Sequence, residues 1–334
     1  MGNLIYVSIS CLGIDTELVK TIKNCYASAE NPENIYFGVA CIGDKDFFDQ
    51  IKNELKDIKN IKYGYYDVDG NLGLGFGRNI AASFYNNEDY FLQIDPHSRF
   101  AKSWDSFLIK KFNLAQRNVN NQKVVLSGYC PPYFYINEDK QESSFFPILE
   151  YSPLKLNEFW NDGVIPKWTN ISPNELPTHL KQMIEHTGMA PAFKVCAHFI
   201  FSNKFFARNT CLYKDIFFWE EELLQSVELI DNGFTLIYPG IESPVYHFYN
   251  DLSNGIDGYR DTNQKFLPTA EDKKMYIKNM EKNYIKHVQD KNNYQKIKNF
   301  EKYNSTSLTD GSKTNNSFPT EYANIGFLPV VESI

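Results

Sequence analysis

The stretch FLQIDPHSRF, residues 91–100, breaks an apolar run at a carboxylate. Phe91, Leu92 and Ile94 lead into Asp95, Pro96 and His97, with Arg99 close behind. A short apolar run bounded by turn residues reads as a strand buried within a sheet. Pro96 fixes its own φ and pushes Asp95 towards an extended conformation, so the chain turns sharply where the strand stops. A carboxylate and an imidazole two residues apart across such a turn can reach one divalent cation. Mixed oxygen and nitrogen ligation suits Mn2+ better than Mg2+. Taken alone, Asp-x-His is too short to be specific and is better read as a capped turn beside a surface ring.

Outward from this strand the same rhythm repeats. Residues 4–10, 34–40, 61–68, 89–94 and 123–129 are strand-like apolar runs, and 15–29, 45–57, 76–86 and 104–117 carry helical spacing. Asp15 is placed as the N-cap of the first helix. This alternation predicts a mainly parallel sheet covered by helices on both faces. Ligands of such sheets bind beyond the carboxyl ends of the strands, where Asp95 and His97 fall. Residues 130–190, rich in Pro, Tyr, Trp and Asn, show little periodicity and read as a long functional loop region. The pattern resumes with a strand over 192–202, a helix near 217–231 and short strands around 234–238 and 244–248. Residues 268–302 are Lys-rich with helical spacing, and 305–318 read as a linker.

Composition bounds the function classes. The 334 residues are 43% hydrophobic and 16% aromatic, enough for a substantial core, and a formal net charge of −7 argues against a nucleic-acid binder. Six cysteines without a CxxC pair read as reduced thiols. No run of about 18 apolar residues exists, so no membrane span is expected. The N-terminal run LIYVSIS is too short for a signal peptide and lacks basic residues before it, so a cytoplasmic placement is expected.

Three further segments carry chemistry-bearing residues. GLGFGRNIAASFY, residues 73–85, is a Gly-rich turn opening a helix, where backbone N–H groups and Arg78 would suit a diphosphate. In FFWEEELLQSVELIDNGF, residues 217–234, Glu220 and Glu221 sit in an acidic helix start that also fits a solvated first turn. PVYHFYN, residues 244–250, ends a strand at His247. His179, His186, His198 and His287 read as structural or surface residues.

In this order the segments resemble one family. YFLQIDPHSRFAKSWD, residues 90–105, resembles the region YYLQIDSHxRFxxxWD of the family-60 glycosyltransferases, N-acetylglucosaminyltransferases that modify protein hydroxyl groups. That family is similar in turn to the polypeptide N-acetylgalactosaminyltransferases, which also use Asp-x-His to bind metal. Residues 73–85 are similar to the family's GPxxARxxAxxLY, 217–234 to its FFGEExxxAxRLWTHGY, 244–250 to its xxYHxYxR, and IYVSIS, residues 5–10, to its opening IFVSIAS. GSKTNNSFPTEYANIGF, residues 311–327, is similar to its C-terminal GSxRTLxxYxxxxGIDF. Gly77 stands where Ala is usual, Trp219 where Gly is usual, and Cys11 and Leu12 depart from the usual YRD.

The resemblance implies a GT-A type nucleotide-diphospho-sugar transferase fold, with a Rossmann-like, mixed and mostly parallel sheet flanked by helices. It implies a catalytic domain over 1–262, with a nucleotide-binding half at 1–130 and an acceptor-binding half at 131–262. It leaves 263–334 as a C-terminal helical extension and tail packed on the catalytic domain. It implies a retaining transfer from a UDP-sugar, UDP-N-acetylglucosamine by precedent, to a protein Ser, Thr or hydroxyproline, with a glycan or lipid-linked acceptor also open. Asp95, His97 and His247 would hold Mn2+ or Mg2+, and Arg78 and Arg99 would face the diphosphate. Ser8 and Ser10 would approach the nucleotide base, and Glu220 and Glu221 would meet substrate hydroxyls. Arg99 has a second reading, a structural ion pair. Two other functions use the same residues: a metal-dependent hydrolase of nucleotide sugars or phosphoesters, and a non-catalytic module binding UDP or a glycan.

Overall fold

Residues Ile5–Leu12 form the first strand, β1, and every side chain from Ile5 to Cys11 is buried. Consecutive burial of this kind requires cover on both faces of the sheet. The computed structural model describes residues 3–67, 73–135, 143–145, 154–160, 165–170, 178–209, 216, 220–240, 242–249, 278, 282, 284–304 and 308. After β1 come α1 (Leu18–Ser28), β2 (Ile35–Ile42), α2 (Lys45–Glu54), β3 (Ile61–Tyr66), α3 (Gly73–Ser83) and β4 (Tyr90–Ile94). Then follow β5 (Ser98–Phe100), α4 (Trp104–Val119), β6 (Val124–Ser127), β7 (Tyr133–Tyr135), β8 (Ser143–Phe145), β9 (Leu154–Trp160) and β10 (Ile165–Asn170). The remainder comprises α5 (Thr178–Thr187), β11 (Ala190–Pro191), β12 (Phe199–Asn203), α6 (Lys204–Asn209), α7 (Glu220–Asp231), β13 (Thr235–Tyr238), β14 (Val245–His247) and α8 (Tyr294–Asn304).

Eight strands make the main sheet in the order β3-β2-β1-β4-β12-β6-β13-β11. Strands β12 and β11 run against their neighbours, and the other pairings are parallel. This is the GT-A arrangement, a mixed and mostly parallel sheet flanked by helices.

The faces of β1 divide the cover. Val7, Ile9 and Cys11 join a core with Leu18 and Ile22 of α1, Phe47 and Ile51 of α2, and Trp104, Leu108 and Phe112 of α4. Each Val, Leu, Ile or Phe among them contributes about 1.5–3 kcal/mol when fully buried. Tyr6, Ser8 and Ser10 lie on the other face, where α3 packs. The Tyr6 hydroxyl donates to the carbonyl of Ala81. Its ring occupies the space a side chain at Gly38 would take.

The structure revises several expected elements. Asp15 does not cap α1 directly. The helix begins at Leu18, and Asp15 accepts from the N–H of Glu17 in the turn before it, at 2.9 Å. Residues 192–198 are turn and bridge rather than strand, and β12 begins at Phe199. The interval 130–190 holds the hairpins β7–β8 and β9–β10 and the helix α5 instead of continuous loop. Short ribbons leave little periodicity to read. Pro166 sits within β10, as a proline can in a two-stranded ribbon with open edges, and the register slips between Lys167 and Trp168. The expected linker at 305–318 lies almost wholly outside the described residues, and the C-terminal motif at 311–327 lies entirely outside them. No helix among the described residues is long and apolar enough to cross a membrane.

Candidate active site

Strand β4 delivers Asp95 to the carboxyl end of the sheet, and a second, two-stranded ribbon brings His97 and His247 to it. β5 pairs antiparallel with β14, setting His247 opposite Ser98, while the N–H of Phe248 donates to the carbonyl of His97 at 3.0 Å. Residues 150 apart in sequence thus share one turn. Nε2 of His247 lies 3.3 Å from Oδ2 of Asp95, and Nε2 of His97 lies 3.8 Å from the same oxygen. One ligand atom from each of Asp95, His97 and His247 falls within 4.8 Å of the others. Atoms sharing an ion at about 2.1 Å stand roughly 3–4 Å apart, so the donor set fits a divalent cation that accepts oxygen and imidazole together.

The electrostatics differ sharply between these three side chains. Burial alone would raise the Asp95 carboxyl. The Arg78 guanidinium, the bond from His247 and the charge of His97 outweigh it and hold Asp95 well below the usual carboxylate range. Burial pushes His247 down to about 4, against the pull of its bond to Asp95. Burial also opposes a proton on His97, but the bonded Asp15 carboxylate and the charges of Asp95 and Glu17 raise this imidazole above its ordinary value.

Behind the triad runs a buried charge chain. Arg78 is 1% exposed. It donates to the carbonyl of Ile94 at 2.9 Å, to Oδ1 of Asp95 at 2.5 Å and to the carbonyl of Ala197 at 3.3 Å. Its Nε lies 3.4 Å from Oε1 of Glu221 on α7. The expected diphosphate contact of Arg78 is therefore corrected: its guanidinium faces inward and ties α3 to the end of β4 and to α7. Glu220 and Glu221 are both buried, so the acidic start of α7 is not a solvated turn. Burial raises Glu221 to about 7, with the neighbouring carboxylates adding to the rise and Arg78 opposing it. Glu222 accepts from Lys194 and from the N–H of Ala197, the latter at 3.0 Å.

A protein-family model for glycosyltransferase (GlcNAc) matches residues 44–254, more than half of the chain and the whole span from α2 to the ribbon bearing His247. The chain belongs to this glycosyltransferase family. Among solved structures it is similar to "GalNAc-T7 with UDP, GalNAc and Mn2+", at 14% identity and a TM-score of 0.54, covering 93% of this chain and 53% of that one. It thus spans about half the length of that relative. A second similarity is to S. aureus TarS 1-349, at 10% identity and a TM-score of 0.44, covering 87% of this chain and 74% of that one. No curated protein matches the sequence.

The other expected site residues of this glycosyltransferase take different places. Arg99 donates to Oε2 of Glu17 at 2.5 Å and to the carbonyl of Ser98 at 2.9 Å, and its guanidinium lies over the Tyr133 ring. The structure gives it the ion-pair role, and the expected phosphate contact is corrected accordingly. Ser8 and Ser10 are also corrected. β1 runs on to Leu12, which is 45% exposed, so both serines are buried mid-strand beneath α3 rather than at the strand end. Trp219 lies outside the described residues.

One wall of the site escaped the sequence reading. His198 precedes β12, which pairs Phe199 with Ile94, so the antiparallel register carries His198 towards Asp95. Its ring centroid lies 4.6 Å from that of His247 and 5.2 Å from that of Tyr129. Tyr249 completes the wall, its hydroxyl 2.9 Å from the carbonyl of Cys130 and 3.3 Å from Nε2 of His198. Burial and the neighbouring His247 hold His198 well below its ordinary value, so it is a neutral ring. A histidine one residue before an apolar strand was the available signal, but pairing with β4 cannot be read from it.

Proposed function

We propose that this chain is a divalent-metal-dependent, retaining glycosyltransferase that moves a sugar from a UDP-sugar to a hydroxyl acceptor. UDP-N-acetylglucosamine is the favoured donor and a protein Ser, Thr or hydroxyproline the favoured acceptor. The observation that carries this reading is the convergence of Asp95, His97 and His247 at the carboxyl end of β4. The family's description supports the N-acetylglucosamine donor, and the GalNAc-T7 structure, whose title names UDP and Mn2+, supports the cofactor class.

Asp95, His97 and His247 would hold the cation, and when bound it supplies neutralisation of the departing diphosphate. Arg78 keeps the Asp95 carboxylate ionised and aimed. Glu220 and Glu221 are 5% and 1% exposed, so neither attacks, and Glu221 would hold Arg78 behind Asp95 rather than meet substrate hydroxyls. The acceptor oxygen bonds to the anomeric carbon on the face the leaving group occupies. The bond from that carbon to the phosphate oxygen breaks, and the acceptor proton passes to the leaving phosphate. Retention follows without a covalent intermediate.

A UDP-release assay over a panel of UDP-sugars with Mn2+, with and without cell extract as acceptor, tests the reading. One donor is expected to give acceptor-dependent release, and Asp95→Ala and His247→Ala to reduce it to background. Full activity in either variant sinks the assignment. Free sugar as the sole product with every acceptor indicates a hydrolase, and UDP binding without turnover a binding module.

A further inference from the structure

We propose that Asp15 is a positioning residue for the cation site: it fixes the tautomer and aim of His97 from the turn before α1. The inference rests on the metal reading above and extends it to a residue outside the ligand set. The turn 96–98 between β4 and β5 is gripped by side chains from the start of α1. Oγ1 of Thr21 lies 2.7 Å from the carbonyl of Pro96 and 2.9 Å from that of Ser98, and it accepts from the N–H of Ser98 at 3.0 Å. Glu17 holds Arg99, the residue after that turn's end. Asp15 holds the ring itself, with Oδ2 at 3.1 Å from Nδ1 of His97. Its other oxygen accepts from the N–H of Glu17 at 2.9 Å, which fixes the carboxylate plane. Asp15, Glu17 and Thr21 thus act together on His97, Arg99 and the backbone around them.

The chemistry of the contact chooses the tautomer. An ionised carboxylate can only accept, so Nδ1 of His97 carries the proton and Nε2 keeps its lone pair. Nε2 is the nitrogen on the Asp95 side. A carboxylate behind a ligating histidine fixes ring orientation and raises its basicity, and losing such a partner typically costs 10–100-fold in metal affinity. Asp15 is 5% exposed, and burying its carboxylate would be unfavourable without its two bonds.

The test is a Mn2+ titration of the full chain followed by EPR of the free ion, without substrate. Asp15→Ala is expected to weaken binding about 10–100-fold. Asp15→Asn has one oxygen for two N–H donors, so either its amide N–H faces Nδ1 or the bond to Glu17 is lost, and it is expected to recover little of that loss. Asp105→Asn serves as the structural control. Asp105 caps the N–H groups of Glu30 and Asn31 at 2.8 and 3.0 Å, so its variant should lose stability without losing Mn2+. Unchanged affinity in Asp15→Ala, beside normal binding by the unaltered chain, overturns this inference alone. Absence of Mn2+ binding by the unaltered chain overturns the metal reading and this inference with it. Should Asp15→Ala fail to fold, 15N NMR of the histidine-labelled native chain, recorded at a pH high enough that His97 is neutral, decides: protonation at Nδ1 supports the assignment, and protonation at Nε2 overturns it.

Discussion

Arg78 directs its guanidinium into the protein, and that choice sets the protonation of two carboxyls at once. Asp95, bonded to it at 2.5 Å, stays ionised, whereas burial, helped by the charges of Asp95, Glu222 and Glu220, keeps Glu221 raised to about 7 although its Oε1 lies 3.4 Å from Nε of Arg78. Sequence could name these residues but not their burial, since an arginine after a Gly-rich turn looks the same whether it faces solvent or core. The raised Glu221 has a consequence for stability. Between its ordinary value of 4.5 and about 7, the folded state holds a proton that the unfolded chain has released. Stability contributed by this group therefore falls as pH rises through that window and is flat beyond it. A neutral Gln removes the dependence. Glu221→Gln is expected to match the native chain near pH 4 and to exceed it by on the order of 3 kcal/mol at pH 8. Urea unfolding at stepped pH measures the difference, and a gap that does not widen with pH would falsify the assignment.

At the scale of elements, the approach of α3 to β1 decides whether Arg78 reaches Asp95. Gly77 is the contact point: a Cβ there would collide with Oγ of Ser10 and stand 2.9 Å from Cδ1 of Ile42. The usual alanine at this position would lift α3 from the sheet. Gly77→Ala is therefore expected to cost about 1–3 kcal/mol, the range for overpacking a close-fitting core. It should also weaken Mn2+ binding, because the shifted helix carries Arg78 away from Asp95. Thermal melts and the Mn2+ titration check both parts, and a variant unchanged in each would show that the helix has slack. Such contacts mark the limit of what the sequence discloses. The alternation from β1 to β6 was legible because the strands are buried runs and the helices between them carry a separate, 3.6-residue period. Ser8 and Ser10 were misplaced because Cys11 and Leu12 extend the same apolar run by two residues. The ribbon joining β5 to β14 was not legible at all: three-residue strands have no period, and their pairing links segments far apart in the chain. Asp95, His97 and His247 could nevertheless be singled out by residue type at the ends of apolar runs, and the structure brings the three together.

For the whole molecule, the question is which distant segments the site depends on. β12 inserts between β4 and β6, so a strand from beyond residue 190 is as central to the sheet as the first four. The same holds for helices. α8 packs Ile297 and Phe300 against Leu223 and Val227 of α7, the helix that opens with Glu220 and Glu221. Lys296 adds a bond to Glu228 at 2.6 Å, and the hydroxyl of Tyr303 accepts from the N–H of Leu236 on β13 at 3.3 Å. Phe300 is completely buried in this contact. If the C-terminal segment is part of the catalytic unit, truncating that ring should act as a core mutation does. Phe300→Ala is then expected to cost about 3–5 kcal/mol in a single cooperative unfolding transition. A peripheral helix would behave otherwise: the loss would stay within about 0.5 kcal/mol, as for surface substitutions, or appear as a separate early transition. Urea unfolding followed by both tryptophan fluorescence and far-UV circular dichroism separates these outcomes. Coincident, strongly shifted transitions would place α7, and with it Glu221, under the support of a helix some seventy residues further along the chain.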